Sequence, residues 1–238
     1  MIEELVRVPG RAMAIFAHPD DAEIACGATL ARWVALGTRV VLAVATRGDK
    51  GGDGTDPVGL AEERSRELLD AGAILGVSDL IQLAYGDGEL ANDLLLRERL
   101  VSLMRRFRPE VVITSDPTVV FVGDLYYNHR DHRELGWAVL DAAFPAALER
   151  GYFPDAGEPL ARLEVLLAAT TSPNVLVRVE GFLDHKVQAM AAHRAQLARY
   201  ADALEPVIRE RARQSARMAG LEGEAELYRR VAQGAAGG

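Results

Sequence analysis

A single cysteine, Cys26, stands in the 238 residues. One thiol closes no intramolecular disulfide, so an export-stabilised, cross-linked framework is excluded. No apolar run approaches the ~18 residues that would suggest a membrane-spanning helix. The amino terminus, MIEELVRVPGRAMAIF, carries acids early and lacks the basic start and long apolar stretch of a secretion signal. These absences lead to the expectation of a cytoplasmic protein without a membrane partner. Basic residues are outnumbered 35 to 27 by acids, giving a formal net charge of −8. A surface of that sign repels phosphate backbones, which argues against nucleic acid. The local basic cluster of Arg97, Arg99, Arg105, Arg106 and Arg108 lies on a helix-like stretch and reads as its solvated face. No G-x-x-x-x-G-K-[ST] loop occurs, so nucleotide binding of the usual kind is not expected.

Short apolar runs at 13–17, 40–45, 80–83 and 111–114 read as buried strands, separated by helix-like stretches at 27–36, 61–75 and 91–107. This β-α alternation predicts an α/β fold, Rossmann-like, with a mainly parallel sheet and helices on both faces of a single domain. A helix near 132–147, strands at 165–169 and 175–179, and a helix at 182–200 follow. The Pro/Gly/acid-rich 154–159 segment marks a surface loop. The domain is expected to end near residue 205. Residues 206–238, charged and ending in AAGG, read as a peripheral helical tail with a frayed end, a packing or homo-oligomer contact being the other reading.

The chemistry concentrates in two segments. Directly after the first strand comes Ala17-His18-Pro19-Asp20-Asp21-Ala22-Glu23. In a doubly wound sheet this is a carboxyl strand end, where ligands bind. A dinucleotide site would carry a glycine-rich turn here, and adjacent carboxylates would repel a pyrophosphate. Two acids beside a histidine are costly unless a cation offsets them. The bland alternative is a helix cap with surface acids. The second segment, Tyr126-Tyr127-Asn128-His129-Arg130-Asp131-His132, follows the fourth strand. In the common strand order, strands one and four are neighbours, so the two segments face each other across one crevice. His18, Asp21 and one of His129 or His132 then make a two-histidine, one-carboxylate set with an open position for water. Zinc fits this set, and so does Fe(II) or another divalent metal; ligand type does not choose among them.

At these residues the chain resembles the LmbE/PIG-L family of zinc-dependent N-deacetylases. The resemblance is carried by AHPDDAEIACGATLARW (17–33), TRGDKG (46–51), GDGEL (86–90), NHRDHRELG (128–136) and FLDHKVQAMAAHRAQL (182–197), and covers roughly residues 12–200. It implies His18, Asp21 and His132 as metal ligands and Asp20 as general base on the metal-bound water. His129 would be the oxyanion stabiliser or general acid, assisted by Tyr127. Arg47 and Asp87 match sugar-gripping positions, and Asp131 would orient a neighbouring histidine. Two departures stand out: Ala22 separates the second aspartate from Glu23, and Arg130 replaces a proline found in some members.

The resemblance implies a hydrolase that removes an acetyl group from an N-acetylglucosamine-type sugar or conjugate with metal-activated water. An amidase cleaving a larger acyl group from a small-thiol or sugar conjugate comes second. An Fe(II) oxygenase and a non-catalytic sugar-binding module come behind: the α/β pattern speaks against the first, and the extra acid Asp20 against the second. Cys26, in an apolar-small stretch without an adjacent base, reads as a buried small hydrophobe. His185 and His193, eight apart on one expected helix, would share a face and read as surface or core histidines, with His193 having a claim on the pocket because AHRAQ resembles a recurring family segment. The Asp/Gly loop 49–56 lacks calcium-loop spacing and reads as a lid beside the crevice.

Overall fold

In the computed structural model, which describes residues 2–51, 55–124 and 126–234, one eight-stranded sheet organises the chain. Residues 52–54 of the expected lid and the terminal AAGG lie outside the described residues. The elements run β1 (Glu3–Glu4), β2 (Arg11–Phe16), α1 (Asp21–Ala35), β3 (Arg39–Thr46), α2 (Pro57–Leu75), β4 (Asp79–Tyr85), α3 (Leu94–Phe107) and β5 (Val111–Ser115). A small hairpin of β6 (Phe121–Val122) and β7 (Tyr126–Tyr127) precedes α4 (Arg130–Asp141). Then come β8 (Arg162–Ala168), β9 (Val175–Arg178), α5 (Leu183–Ala192), α6 (Arg194–Leu197), α7 (Ala201–Met218) and β10 (Ala225–Gly234).

The strand order is β1-β9-β10-β8-β5-β2-β3-β4, and every pairing is parallel except those of β10 with β8 and β9. Successive residues of β2 alternate between two cores: Ala12, Ala14 and Phe16 face one, Met13 and Ile15 the other. A strand covered on both faces must be apolar at every position, and this is why the central strands read as unbroken hydrophobic runs. β2 lies between β3 and β5, so the chain reverses its direction of winding beside β2. The crevice at that point opens at the carboxyl ends of β2 and β5. The α/β fold expected from the sequence is the fold observed.

Three elements differ from the sequence expectation. The helix expected over 182–200 breaks at His193, whose φ/ψ of −81°/63° is not helical, so His185 is exposed while His193 is buried and they share no face. Arg105 is not on a solvated face. It is 3% exposed, and its guanidinium donates to the carbonyls of Ala146, Glu149, Tyr152, Phe153 and Gly157, tying the 142–157 connection to α3. The tail expected to be peripheral beyond residue 205 supplies α7 and then β10, which is inserted between β8 and β9. Its polar sequence hides the strand, because two flanking strands and specific side-chain partners stabilise it. Glu226 accepts from the Thr29 backbone N–H at 2.8 Å and from the Tyr228 hydroxyl at 3.0 Å, and it pairs with Lys186.

Tyr228 is fully buried, and its hydroxyl oxygen also accepts from Thr29 Oγ1 at 2.7 Å. Tyr228→Ala is therefore expected to cost about 3–5 kcal/mol, the range for a large buried aromatic cut to alanine. A urea melt followed by circular dichroism checks this; a midpoint like that of wild type would mean that the terminal segment is peripheral after all.

Candidate metal centre

His18 follows β2 and is 8% exposed. The next turn is strained: Asp20 has φ 114°, a left-handed conformation that an L side chain adopts only under constraint. That turn brings Asp21 back onto His18, where its carboxylate accepts the His18 backbone N–H at 2.8 Å. From the far segment, α4 begins at Arg130 and carries His132 on its first turn. Gly136 lets α4 approach β5 this closely, since a Cβ there would lie 2.6 Å from the Ser115 carbonyl oxygen.

Three side chains converge. His18 Nδ1 lies 3.2 Å from His132 Nε2 and 3.3 Å from an Asp21 oxygen, and the other Asp21 oxygen lies 3.2 Å from His132 Nε2. Ligands at about 2.0–2.1 Å around a tetrahedral ion would be separated by about 3.3–3.4 Å, so this triangle has the size of one face of such a site. The outer partners set the tautomer that each neutral ring would take. His18 Nε2 lies 3.1 Å from Asp87 Oδ1 and 3.5 Å from Asp131 Oδ2, so its proton sits on Nε2 and Nδ1 faces the triangle. His132 Nδ1 donates to Asn128 Oδ1 at 3.0 Å, leaving Nε2 free. The Asn128 amide is itself oriented, because Nδ2 donates to the Val119 carbonyl at 2.8 Å.

A second grouping, His18, Asp87, His129 and Asp131, also falls within ligand distance. It uses the protonated side of His18, and Asp131 is already committed to backbone N–H groups of Gly88 and Leu90. The first grouping is thus the better metal site. Its electrostatics agree: burial works against the His18 imidazolium, yet Asp21, Asp131 and Asp87 outweigh it and push His18 up to about 12. A spot that holds a proton that firmly is a trap for positive charge, which a divalent cation satisfies in its place. Burial also resists ionisation of Asp21, but His132 and His18 hold it well below the usual carboxylate range.

Asp20 sits beside the triangle rather than in it. Burial and the Asp21 carboxylate raise it to about 7, opposed by Arg64. Arg64, on α2 and 3% exposed, lies 3.3 Å from Asp20 and donates to the carbonyls of Pro19 and Gly48. A Cβ at Gly48 (φ 62°) would lie 2.4 Å from that guanidinium, so the position needs glycine for both backbone and space. Arg64 escapes sequence reasoning because it lies 44 positions from Asp20, on an ordinary charged helix.

The remaining expected residues fall as follows. His129 is the N-cap of α4 and about 43% exposed; its Nδ1 accepts the Asp131 backbone N–H, leaving Nε2 to carry the proton, 3.9 Å from Asp87 Oδ1. Burial and the His18 charge lower its pKa. Asp87, expected at the sugar, orients His18 as well as lining the cavity. Tyr127 does not reach the cavity: its hydroxyl accepts from Arg133 at 2.6 Å on the outer side of the hairpin. Adjacent strand residues face opposite ways, and Tyr126 is the one that lines the cavity. Arg47 is also turned away, donating to the Ala84 carbonyl and to Asp49 and lining a separate cleft. Arg130 faces solvent, with Glu134 one turn on at 3.8 Å. His193 is buried against Glu23 at 3.4 Å, and Cys26 is buried with its thiol donating to the Ala22 carbonyl.

The cavity beside the triangle measures about 900 Å³ and is lined by His18, Asp20, Asp21, Asp87, His129 and His132 among others. If Asn128 sets the His132 tautomer, Asn128→Ala weakens zinc binding about 10–100-fold. Asn128→Asp, which keeps an acceptor, weakens it less. Competition with a chromophoric chelator measures both; equal affinity for wild type and Asn128→Ala would remove Asn128 from that role.

Residues 13–143 match the family described as PIG-L: GlcNAc-PI de-N-acetylase. The chain is 30% identical over 191 residues to the diacetylchitobiose deacetylase of Thermococcus kodakarensis, covering 78% of this chain and 70% of that one. It is 33% identical over 172 residues to the 1D-myo-inositol 2-acetamido-2-deoxy-alpha-D-glucopyranoside deacetylase of Kineococcus radiotolerans, covering 58% of this chain and 46% of that one. The solved N,N'-diacetylchitobiose deacetylase of Pyrococcus horikoshii shares its fold, with a TM-score of 0.82, 24% identity, and coverage of 94% of this chain and 84% of that one. By sequence match and fold alike, this chain belongs to the PIG-L/LmbE family of metal-dependent deacetylases.

Proposed function

We propose that this chain hydrolyses the N-acetyl group of an N-acetylglucosamine-type sugar or conjugate, with zinc held by His18, Asp21 and His132. The observation that carries this reading is the ligand triangle with Asp20 beside it, both opening into one cavity. Two neutral imidazoles and one carboxylate suit zinc, with Fe(II) or another divalent metal as the alternative. A divalent ion at that point supplies Lewis acidity, polarising a carbonyl oxygen and acidifying water toward ~7.

Asp20 is the general base. It lies next to the ligand Asp21, is buried, and is held by Arg64, so its carboxylate would be the group beside the ligand set that accepts the proton of an attacking water. The same carboxyl group, once protonated, returns the proton to the departing amine. His129 presents Nε2–H to the cavity and donates a hydrogen bond to the oxygen that gains charge during attack. Asp131 and Asp87 fix the geometry behind the site through His18 and the 86–90 loop.

The substrate is a small amide, and nothing in the acidic composition favours nucleic acid. Among the described residues, no helix is long and apolar enough to cross a membrane. A cytoplasmic setting and homo-oligomerisation belong to this proposal. The relatives' named substrates, diacetylchitobiose and an inositol glycoside of 2-acetamido-2-deoxyglucose, both carry an N-acetyl amino sugar.

Acetate release from N-acetylglucosamine and its glycosides by the zinc-loaded protein tests the reading. Asp20→Asn is expected to lower kcat about 10²–10⁴-fold while retaining stoichiometric zinc. His132→Ala is expected to lose zinc and activity together, and so is the wild type after chelation, with recovery on adding zinc back. Absence of acetate from every N-acetylated amino sugar offered to zinc-loaded wild type would sink the proposal.

A further inference from the structure

Glu23 is fully buried, and neither of its carboxylate oxygens has a hydrogen-bond partner among the described residues. It is the third residue of α1 after the N-cap Asp20, where a glutamate ordinarily reaches back to the N-cap backbone N–H. Here it turns inward instead. Its Oε2 lies 3.4 Å from Nε2 of His193, whose two ring nitrogens also lack hydrogen-bond partners among the described residues. Such a pair is a poor source of stability, because the cost of desolvation offsets most of the attraction.

Its location gives it another use. Cys26, at φ −147° and ψ 16°, interrupts α1, so residues 21–25 form a short helical piece between that kink and the strained Asp20. One turn of helix does not hold itself together. Where Asp21 sits therefore depends on how this piece is anchored: Asp21 itself accepts the His18 backbone N–H, and Glu23 faces His193.

His193 is fixed in its turn. The helix breaks there, and in the following α6 the Ala195 backbone N–H donates to the buried Glu67 of α2 at 3.0 Å. Glu67 stands three residues after Arg64, on the same face of α2, and Arg64 reaches Asp20. Two routes thus run from α2 to the turn that carries the site. Arg64 meets Asp20 directly, and Glu67 acts through Ala195 and His193 on Glu23.

We propose that His193 is a positioning residue: through Glu23 it holds the first turn of α1, keeping Asp21 in the ligand triangle and Asp20 beside it. The inference rests on the deacetylase reading for its effect on turnover, whereas its effect on the ligand set stands apart from that reading.

Replacing both partners by apolar residues, Glu23→Met with His193→Leu, tests the role, because exchanging a buried pair in this way is often neutral or stabilising. Urea midpoints, zinc affinity by chelator competition, and kcat and KM for acetate release from N-acetylglucosamine are measured together. The double variant is expected to keep its midpoint and to bind zinc about 10–100-fold more weakly. Loaded with zinc, it is expected to lose about tenfold or more in kcat with KM near that of wild type. His193→Gln, whose amide N–H can face Glu23, is expected to keep most of both.

A fall in either quantity at retained stability, spared in His193→Gln, sustains the proposal, since a merely structural pair would move neither. Wild-type zinc affinity and kcat in the double variant would overturn it, as would a His193→Gln variant that falls equally far. If the double variant does not fold, Glu23→Met alone is held to the same criteria. If zinc-loaded wild type releases no acetate from any N-acetylated amino sugar, the deacetylase reading fails, and zinc affinity alone decides the role of His193.

Discussion

Asp20, Asp21, Asp87 and Asp131 crowd around two mostly buried imidazoles, and carboxylates at that density hold their places only against compensating positive charge. Much of the local architecture answers this constraint. Arg64 is drawn through the interior to Asp20, and Gly48 gives up its side chain so that the guanidinium fits. Asp131 spends its oxygens on the backbone N–H groups of Gly88 and Leu90, which in turn fixes the loop carrying Asp87. What remains uncompensated points inward at one spot between His18, Asp21 and His132, and a divalent cation is the species that suits it.

The tautomers follow from the same arrangement. Acids behind His18 keep its proton on Nε2, and the amide oxygen behind His132 keeps that proton on Nδ1. Each ring is therefore already oriented so that its inner nitrogen faces the centre, and a cation that displaces the proton held there meets a lone pair without ring reorientation. The strained backbone at Asp20 has a related use. A relaxed turn would let Asp20 and Asp21 splay into solvent, whereas this one sends Asp21 to the ligand triangle and keeps Asp20 beside it.

The sheet determines how large the site is. Parallel strands align their carboxyl ends, so β2, β5 and β8 all contribute to one edge. β10 enters antiparallel, and its first residues, Ala225 to Leu227, extend that edge and join the lining of the cavity. The segment that looks most like an appendage in the sequence thus completes both the sheet and the binding cavity, with Glu226 and Tyr228 anchoring it to α1 and α5.

Wherever local chemistry dominates, the sequence by itself was enough. The central strands are apolar at every position because both faces are covered, and His18, Asp20, Asp21, His129, Asp131 and His132 stand in two short segments that the fold brings together at the carboxyl ends of β2 and β5. Tertiary structure alone decided the rest. Arg64 and Asn128 act through partners that only packing brings near, Arg47 and Tyr127 turn away because a carbonyl and a guanidinium claim them, and Arg105 is drawn inside by backbone carbonyls. β10 is a strand because two neighbours supply its hydrogen bonds and Lys186, Thr29 and Tyr228 satisfy its buried acid. Periodicity and motif spacing record which residues must be buried or held together along the chain; they carry no record of partners contributed from distant segments, and those partners decide where a polar side chain ends.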